Sequence, residues 1–110
     1  MTAQVLRVID GDTIEVAAHL WLGQTLVTQV RLDGVDTPEI GQPECPEERA
    51  KGHAAKQFII ARLEGSEVTL RDIHYGKFAG RVVAQVEDFQ GTNMSTLLVD
   101  QGLGVPATSR

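Results

Sequence analysis

β-Branched and aliphatic residues crowd two short runs near the N-terminus, residues 4–9 (Gln-Val-Leu-Arg-Val-Ile) and 13–18 (Thr-Ile-Glu-Val-Ala-Ala), and Asp10-Gly11 between them is a strong hairpin signal. Both runs are predicted strands. After a turn near Leu22-Gly23-Gln24, residues 26–32 can place Leu26, Thr28, Val30 and Leu32 on one face and Arg31 on the other. Pro43 and Pro46 break the chain, and the proline-free run 47–63 sets Ala50, Ala54, Phe58 and Ala61 at helical spacing. This predicts the main helix. Pro46 suits its first position, Glu47 and Glu48 suit the positive end of its dipole, and Gly65 sits where a C-terminal cap belongs; Gly52 is the weak point in its interior.

Residues 67–73 and 81–87 also alternate, with Val68 and Leu70 in one run and Val82, Ala84 and Val86 in the other, on either side of a loop over 74–80. They are the fourth and fifth predicted strands. Residues 88–91 (Asp-Phe-Gln-Gly) have turn composition, Asn93 suits an N-cap, and 94–101 predicts a short amphipathic helix closed by Gly102. The tail after Leu103 has no clear pattern. Three strands, a helix, two strands and a helix predict an α+β, mainly β fold. The expected form is a five-stranded Greek-key barrel of the OB type, with the main helix between strands three and four; a small α+β sandwich is the alternative. Such a fold alone implies only a binding surface.

The 110 residues, 42% of them hydrophobic, suit one domain over 1–110 with no linker or repeat, and no run is long and apolar enough for a membrane span. No membrane partner is expected, and the chain is expected to be a monomer. Met1 to Gln4 lacks the basic-then-apolar order of a leader, which leaves localisation open, export included. A formal charge of -5 disfavours a broad basic nucleic-acid surface, so any phosphate contact must be local. Cys45 is the single cysteine, which excludes an intrachain disulfide and a multi-cysteine metal site; it reads as an inert or surface thiol.

The candidate chemistry lies in carboxylates at strand ends: Asp10, Asp12, Asp33, Asp36 and Glu39. Two carboxylates about 5 Å apart repel by roughly 3 kcal/mol at an effective dielectric near 20, so a cluster calls for a cation or shifted ionisation. Oxygen-only ligands point to Ca²⁺ or Mg²⁺, and the absence of nearby Cys or His argues against zinc. In Asp36-Thr37-Pro38 the proline biases Thr37 toward extended backbone and removes a donor, which suits a ligand loop presenting the Thr37 carbonyl. Glu39 can then coordinate directly or accept a proton from an attacking water. Arg31 and Arg81, at strand ends opposite their apolar neighbours, suit a phosphate clamp. Each feature alone has a plainer reading: Asp-Gly pairs commonly form turns for their backbone geometry, and single arginines are usually surface charges.

Taken together, the motifs resemble the staphylococcal nuclease-like (thermonuclease) domain family over nearly the whole chain. Ile9-Asp10-Gly11-Asp12-Thr13 is similar to its first motif and Arg31 through Glu39 to its second. Gly80-Arg81 is similar to the third, and 97–103 (Leu-Leu-Val-Asp-Gln-Gly-Leu) to its last helix. The resemblance implies an OB-fold, calcium-dependent phosphodiesterase acting on single-stranded or unpaired DNA and RNA and leaving 3′-phosphate products. It implies Asp12, Asp36 and the Thr37 carbonyl as Ca²⁺ ligands, Glu39 at the attacking water, Arg31 and Arg81 on the phosphate, and Asp10 behind the ligands. The third motif departs from the family, being one residue longer and having Phe78 in place of a tyrosine; Tyr75 and Lys77 are candidate substitutes, by stacking and by charge. Tyrosines that stack a base in the family have no counterpart after Gly102, which predicts weaker substrate binding. The alternative within this family is a noncatalytic module binding nucleic acid or a protein. His19, His53 and His74 read as structural or exposed, Trp21-Leu22 as core or lid rather than a partner contact, and Asp33 as a turn residue.

Overall fold

In a computed structural model of the protein, residues 1–37, 46–76 and 81–107 are described. The expected strands form where β-branched residues cluster: β1 (Thr2–Asp10), β2 (Thr13–His19) and β3 (Thr25–Leu32). A two-residue strand, β4 (Val35–Asp36), follows, then helix α1 (Pro46–Leu63), β5 (Glu67–Tyr75), β6 (Arg81–Glu87), helix α2 (Met94–Asp100) and a second short strand, β7 (Val105–Pro106). The five long strands close into a barrel in the order β1-β2-β3-β6-β5, with β5 returning to pair with β1. β3 and β6 run parallel and every other barrel pair is antiparallel. This is the OB-type arrangement, and closure rules out the sandwich.

Inward positions of the strands supply the core: Val5, Ile14, Val16, Val30, Leu32, Val68 and Val86 are each no more than 2% exposed. Helix α1 plugs this core with a stripe one residue away from the predicted one. Gly52, Ala55, Ile59 and Leu63 are buried, whereas Ala50, Ala54 and Ala61 are exposed and Phe58 is half-buried. The physical reason is size. A stripe holding Ile59 and Leu63 removes far more apolar surface from water than one made mainly of alanines. Gly65 takes φ +77 just beyond the helix, as a cap glycine should, and the Asn93 side chain accepts from the Thr96 N–H at 3.1 Å to cap α2.

Two sequence expectations fail at the β2–β3 end of the barrel. Leu26 is 52% exposed although its alternation points inward, because the strand runs past the packed core there. Trp21, in a 3-10 turn over Trp21–Gly23, is 83% exposed, so it serves neither as core nor as a covering lid. Among the described residues no helix is long and apolar enough to cross a membrane.

Candidate active site

The β1–β2 turn sets the first carboxylate. Asp10 pairs with Thr13 across it, after a register irregularity between Val8 and Asp10, and the tight connection carries Asp12 to the base of the barrel wall. Gly11 is required by its neighbour in space: a Cβ there would lie 2.6 Å from the Ala55 Cβ and 3.3 Å from the Ala55 carbonyl carbon, inside α1. Gly11→Ala is expected to destabilise the protein by about 1–3 kcal/mol, as overpacking does, read as a lower urea midpoint at unchanged slope. The Leu32 N–H donates to the Asp12 carbonyl at 2.8 Å, which fastens the turn to the end of β3.

Asp12 is 6% exposed, and its carboxylate is held from three directions. It accepts from the Thr13 hydroxyl at 3.2 Å and from the Thr37 backbone N–H at 3.3 Å. Arg31 Nη1 lies 3.3 Å from Asp12 Oδ2, while Nη2 of the same guanidinium pairs with Asp36. One cation thus bridges two carboxylates that arrive from separate segments. The Arg31 and Asp12 side chains are 16% and 8% exposed and Asp36 is 39% exposed, so the pair opens to solvent on the Asp36 side. A buried Asp elsewhere has a plainly structural use: Asp88 accepts from the Gln90 and Thr92 N–H groups, both at 2.9 Å, and from Arg62, closing a turn.

The backing of Asp36 and Thr37 was not foreseen. β7 pairs with β4, Asp36 opposite Val105 and Val35 opposite Pro106. Gly104 lets the tail approach: a Cβ there would fall 2.6 Å from Val35 Cγ2, 3.1 Å from the Asp36 carbonyl oxygen and 3.3 Å from Thr37 Cγ2. A two-residue ladder carries no periodicity, which is why the tail after Leu103 shows no pattern in the sequence. Asp33 is a turn residue as expected: Gly34 takes φ +92, and the Asp33 carbonyl accepts from the Ser95 hydroxyl at 2.5 Å.

The structure therefore brings together Asp12, Arg31, Asp36 and Thr37, with half-buried Asp10 at the adjoining strand end. Arg81 opens β6 opposite Gln29, and Arg31 faces Val83 two positions on, so the register sets both arginines on one side of the sheet. The described residues give Arg81 no ion pair. Tyr75 ends β5 and is 89% exposed. Glu39, Lys77 and Cys45 lie outside the described residues. His19 and His53 are exposed, and His74 Nδ1 lies 3.0 Å from the Asp72 carbonyl oxygen.

A divalent cation suits this donor set on chemical grounds. Asp12 and Asp36 already share one positive group, every nearby donor is a hard oxygen, and the buried Thr37 hydroxyl has no hydrogen-bond partner among the described residues. No group of three or more His, Cys, Asp or Glu side chains gathers among the described residues, so two carboxylates need further oxygen donors from the backbone, from Glu39 or from solvent.

A family model for staphylococcal nuclease homologues matches residues 29–109. A micrococcal nuclease of Shigella flexneri is 32% identical over 107 residues, an alignment covering 91% of this chain and 55% of the relative. The chain spans about half the length of that curated relative. The model's match begins after Asp12, so what ties Asp12 to the matched segment is its contact with Arg31 and Thr37.

Proposed function

The chain belongs to the family of staphylococcal nuclease homologues, and we propose on that premise that it is a calcium-dependent nuclease hydrolysing phosphodiester bonds in DNA and RNA. The observation that carries this reading is the Arg31 guanidinium held between Asp12 and Asp36, a cation-binding carboxylate pair with a phosphate-binding group attached. Asp12 and Asp36 would hold Ca²⁺ through their carboxylates and Thr37 through its carbonyl, with Asp10 behind them. When bound, the ion supplies charge stabilisation at a phosphoryl oxygen and eases ionisation of water.

The chain's own residues supply the rest. Arg31 can turn its fork of donors to the scissile phosphate, and Arg81, on the same side of the sheet, can hold a second oxygen. Both then oppose the negative charge that grows as phosphorus becomes five-coordinate. Glu39 accepts a proton from the attacking water as its oxygen bonds to phosphorus. The bond to the 5′-oxygen breaks, that oxygen takes a proton from solvent, and a 3′-phosphate remains. Tyr75 and Lys77 serve the strand on either side, by stacking and by charge.

The test is digestion of single-stranded DNA with Ca²⁺ and with EDTA. Cutting is expected only with Ca²⁺, with 3′-phosphate ends. Equal cutting under both conditions, or none under either, overturns the reading.

A further inference from the structure

The β2–β3 hairpin runs beyond the barrel as an arm. β1 reaches β2 only as far as Ala18, and β6 joins β3 only from Gln29, so among the described residues the tip of the hairpin pairs with nothing but itself. Every residue from His19 to Val27 is exposed, and no Asp, Glu, Lys or Arg occurs between Glu15 and Arg31. The tip is a tight turn in which the Gln24 N–H donates to the Trp21 carbonyl at 3.4 Å and Leu22 and Gly23 both take positive φ, 59 and 75. That is the type I′ pattern, whose first central position favours Asn, Asp or Gly. Leucine there strains the backbone and leaves an apolar side chain 77% exposed. Neither cost is offset among the described residues, so Leu22 is explained by what it meets outside its own chain.

A recess lies at the root of the arm. Leu20 and Leu26 of the hairpin, with Leu70 and Ile73 of β5, line a cleft of about 380 Å³, and Met1 and Arg81 bring polar groups to its wall. Trp21 and Leu22 at the tip, with Leu20, Leu26, Ile73 and Met1 around the cleft, expose on the order of 700 Å². This exceeds the roughly 300–600 Å² of the largest apolar patch on a typical monomer and falls within the roughly 600–1,000 Å² that each partner buries in a standard interface. Charge points to the occupant. The chain carries a formal charge of -5, so two copies repel unless they meet through a face without ionised acids, and the arm is such a face. A twofold interface must also be self-complementary, and a projecting apolar turn beside an apolar recess supplies both halves on one chain.

We infer that this end of the barrel is a self-association surface, through which two copies pair about a twofold axis, each laying Trp21 and Leu22 on the cleft of the other, in place of the monomer expected from the sequence. An aromatic and an aliphatic anchor with no charge between them is the composition of an interface core. The inference does not depend on the nuclease reading. Asp12, Arg31 and Asp36 lie toward the far ends of β2 and β3, so pairing leaves them open.

The test is sedimentation equilibrium of the whole chain in EDTA over a range of about 1–200 µM. The wild-type mass is expected to rise toward twice the 11.9 kDa of one chain. Leu22→Asn and Trp21→Ser should each raise the dimer Kd at least about tenfold, as loss of a central anchor does. Leu22→Asn installs the residue that the turn favours, so misfolding does not account for its loss of pairing. Its Tm at about 1 µM should equal or exceed that of the wild type, and only the wild-type Tm should climb with protein concentration. A mass of 11.9 kDa across the whole range, or a dimer that both variants leave unchanged, overturns the inference. So does a monomer that sediments with phosphatidylcholine vesicles in a Trp21-dependent way, which would give this face to a lipid surface.

Discussion

Replacing Arg31 with alanine is expected to lower kcat on single-stranded DNA by about 10²–10³-fold, the usual cost of losing one transition-state donor, while calcium binding tightens. The opposite signs follow from one geometry. The Arg31 guanidinium touches both Asp12 and Asp36, so any cation held by those carboxylates lies close to a fixed positive charge. A unit charge and a double charge about 6 Å apart repel by roughly 5 kcal/mol at an effective dielectric near 20, less where Asp36 meets solvent. Calorimetric titration should therefore show a lower Kd in the alanine variant. Without Ca²⁺ the same variant leaves the buried Asp12 carboxylate with the Thr13 and Thr37 donors alone among the described residues, so its Tm in EDTA should fall and Ca²⁺ should restore most of it. Arg31→Lys divides the two effects. It keeps the charge, holding calcium affinity near wild type, but one ammonium cannot reproduce the planar fork, so kcat still drops. A parallel loss of calcium affinity and kcat in Arg31→Ala would instead make the arginine a support for the ligand loop.

That site was largely legible in the sequence because its chemistry is local. Asp36, Thr37 and Arg31 lie within seven residues, and an alternating strand pattern alone places Arg31 on the face opposite Val30 and Leu32. Asp12 was readable as a turn carboxylate, but only folding brings it against the N–H of Thr37, 25 residues on. What escaped depends on tertiary packing. The buried stripe of α1 was misplaced by one residue because spacing weights an alanine as heavily as an isoleucine, whereas the barrel mouth selects Ile59 and Leu63 for the area they remove from water. β7 escaped because two residues have no period, and its role behind Asp36 is set by Gly104's close approach to Val35. At Leu26 the alternation is correct and the inference of burial is not: an inward-facing residue is buried only where the facing strands extend equally far, and here they leave a cleft.

Glu39→Gln is expected to reduce kcat by about 10²–10⁴-fold, the range for losing a general base, with little change in KM or in calcium affinity. The substitution keeps the size and shape of the side chain and removes only its ability to take a proton, so it tests chemistry rather than packing. Glu39 follows Asp36 by three residues in the sequence, with Pro38 between them. Calcium affinity is the deciding measurement. If Glu39 accepts the water proton, Asp12 and Asp36 still hold the ion and a titration of Glu39→Gln matches wild type, while Asp36→Ala loses binding. If Glu39 is itself a ligand, removing its charge weakens calcium binding together with kcat. A base also leaves a kinetic trace: the acid limb of the kcat–pH profile, where protonation removes the base, should flatten in Glu39→Gln. An unchanged acid limb would move the proton acceptor to another group.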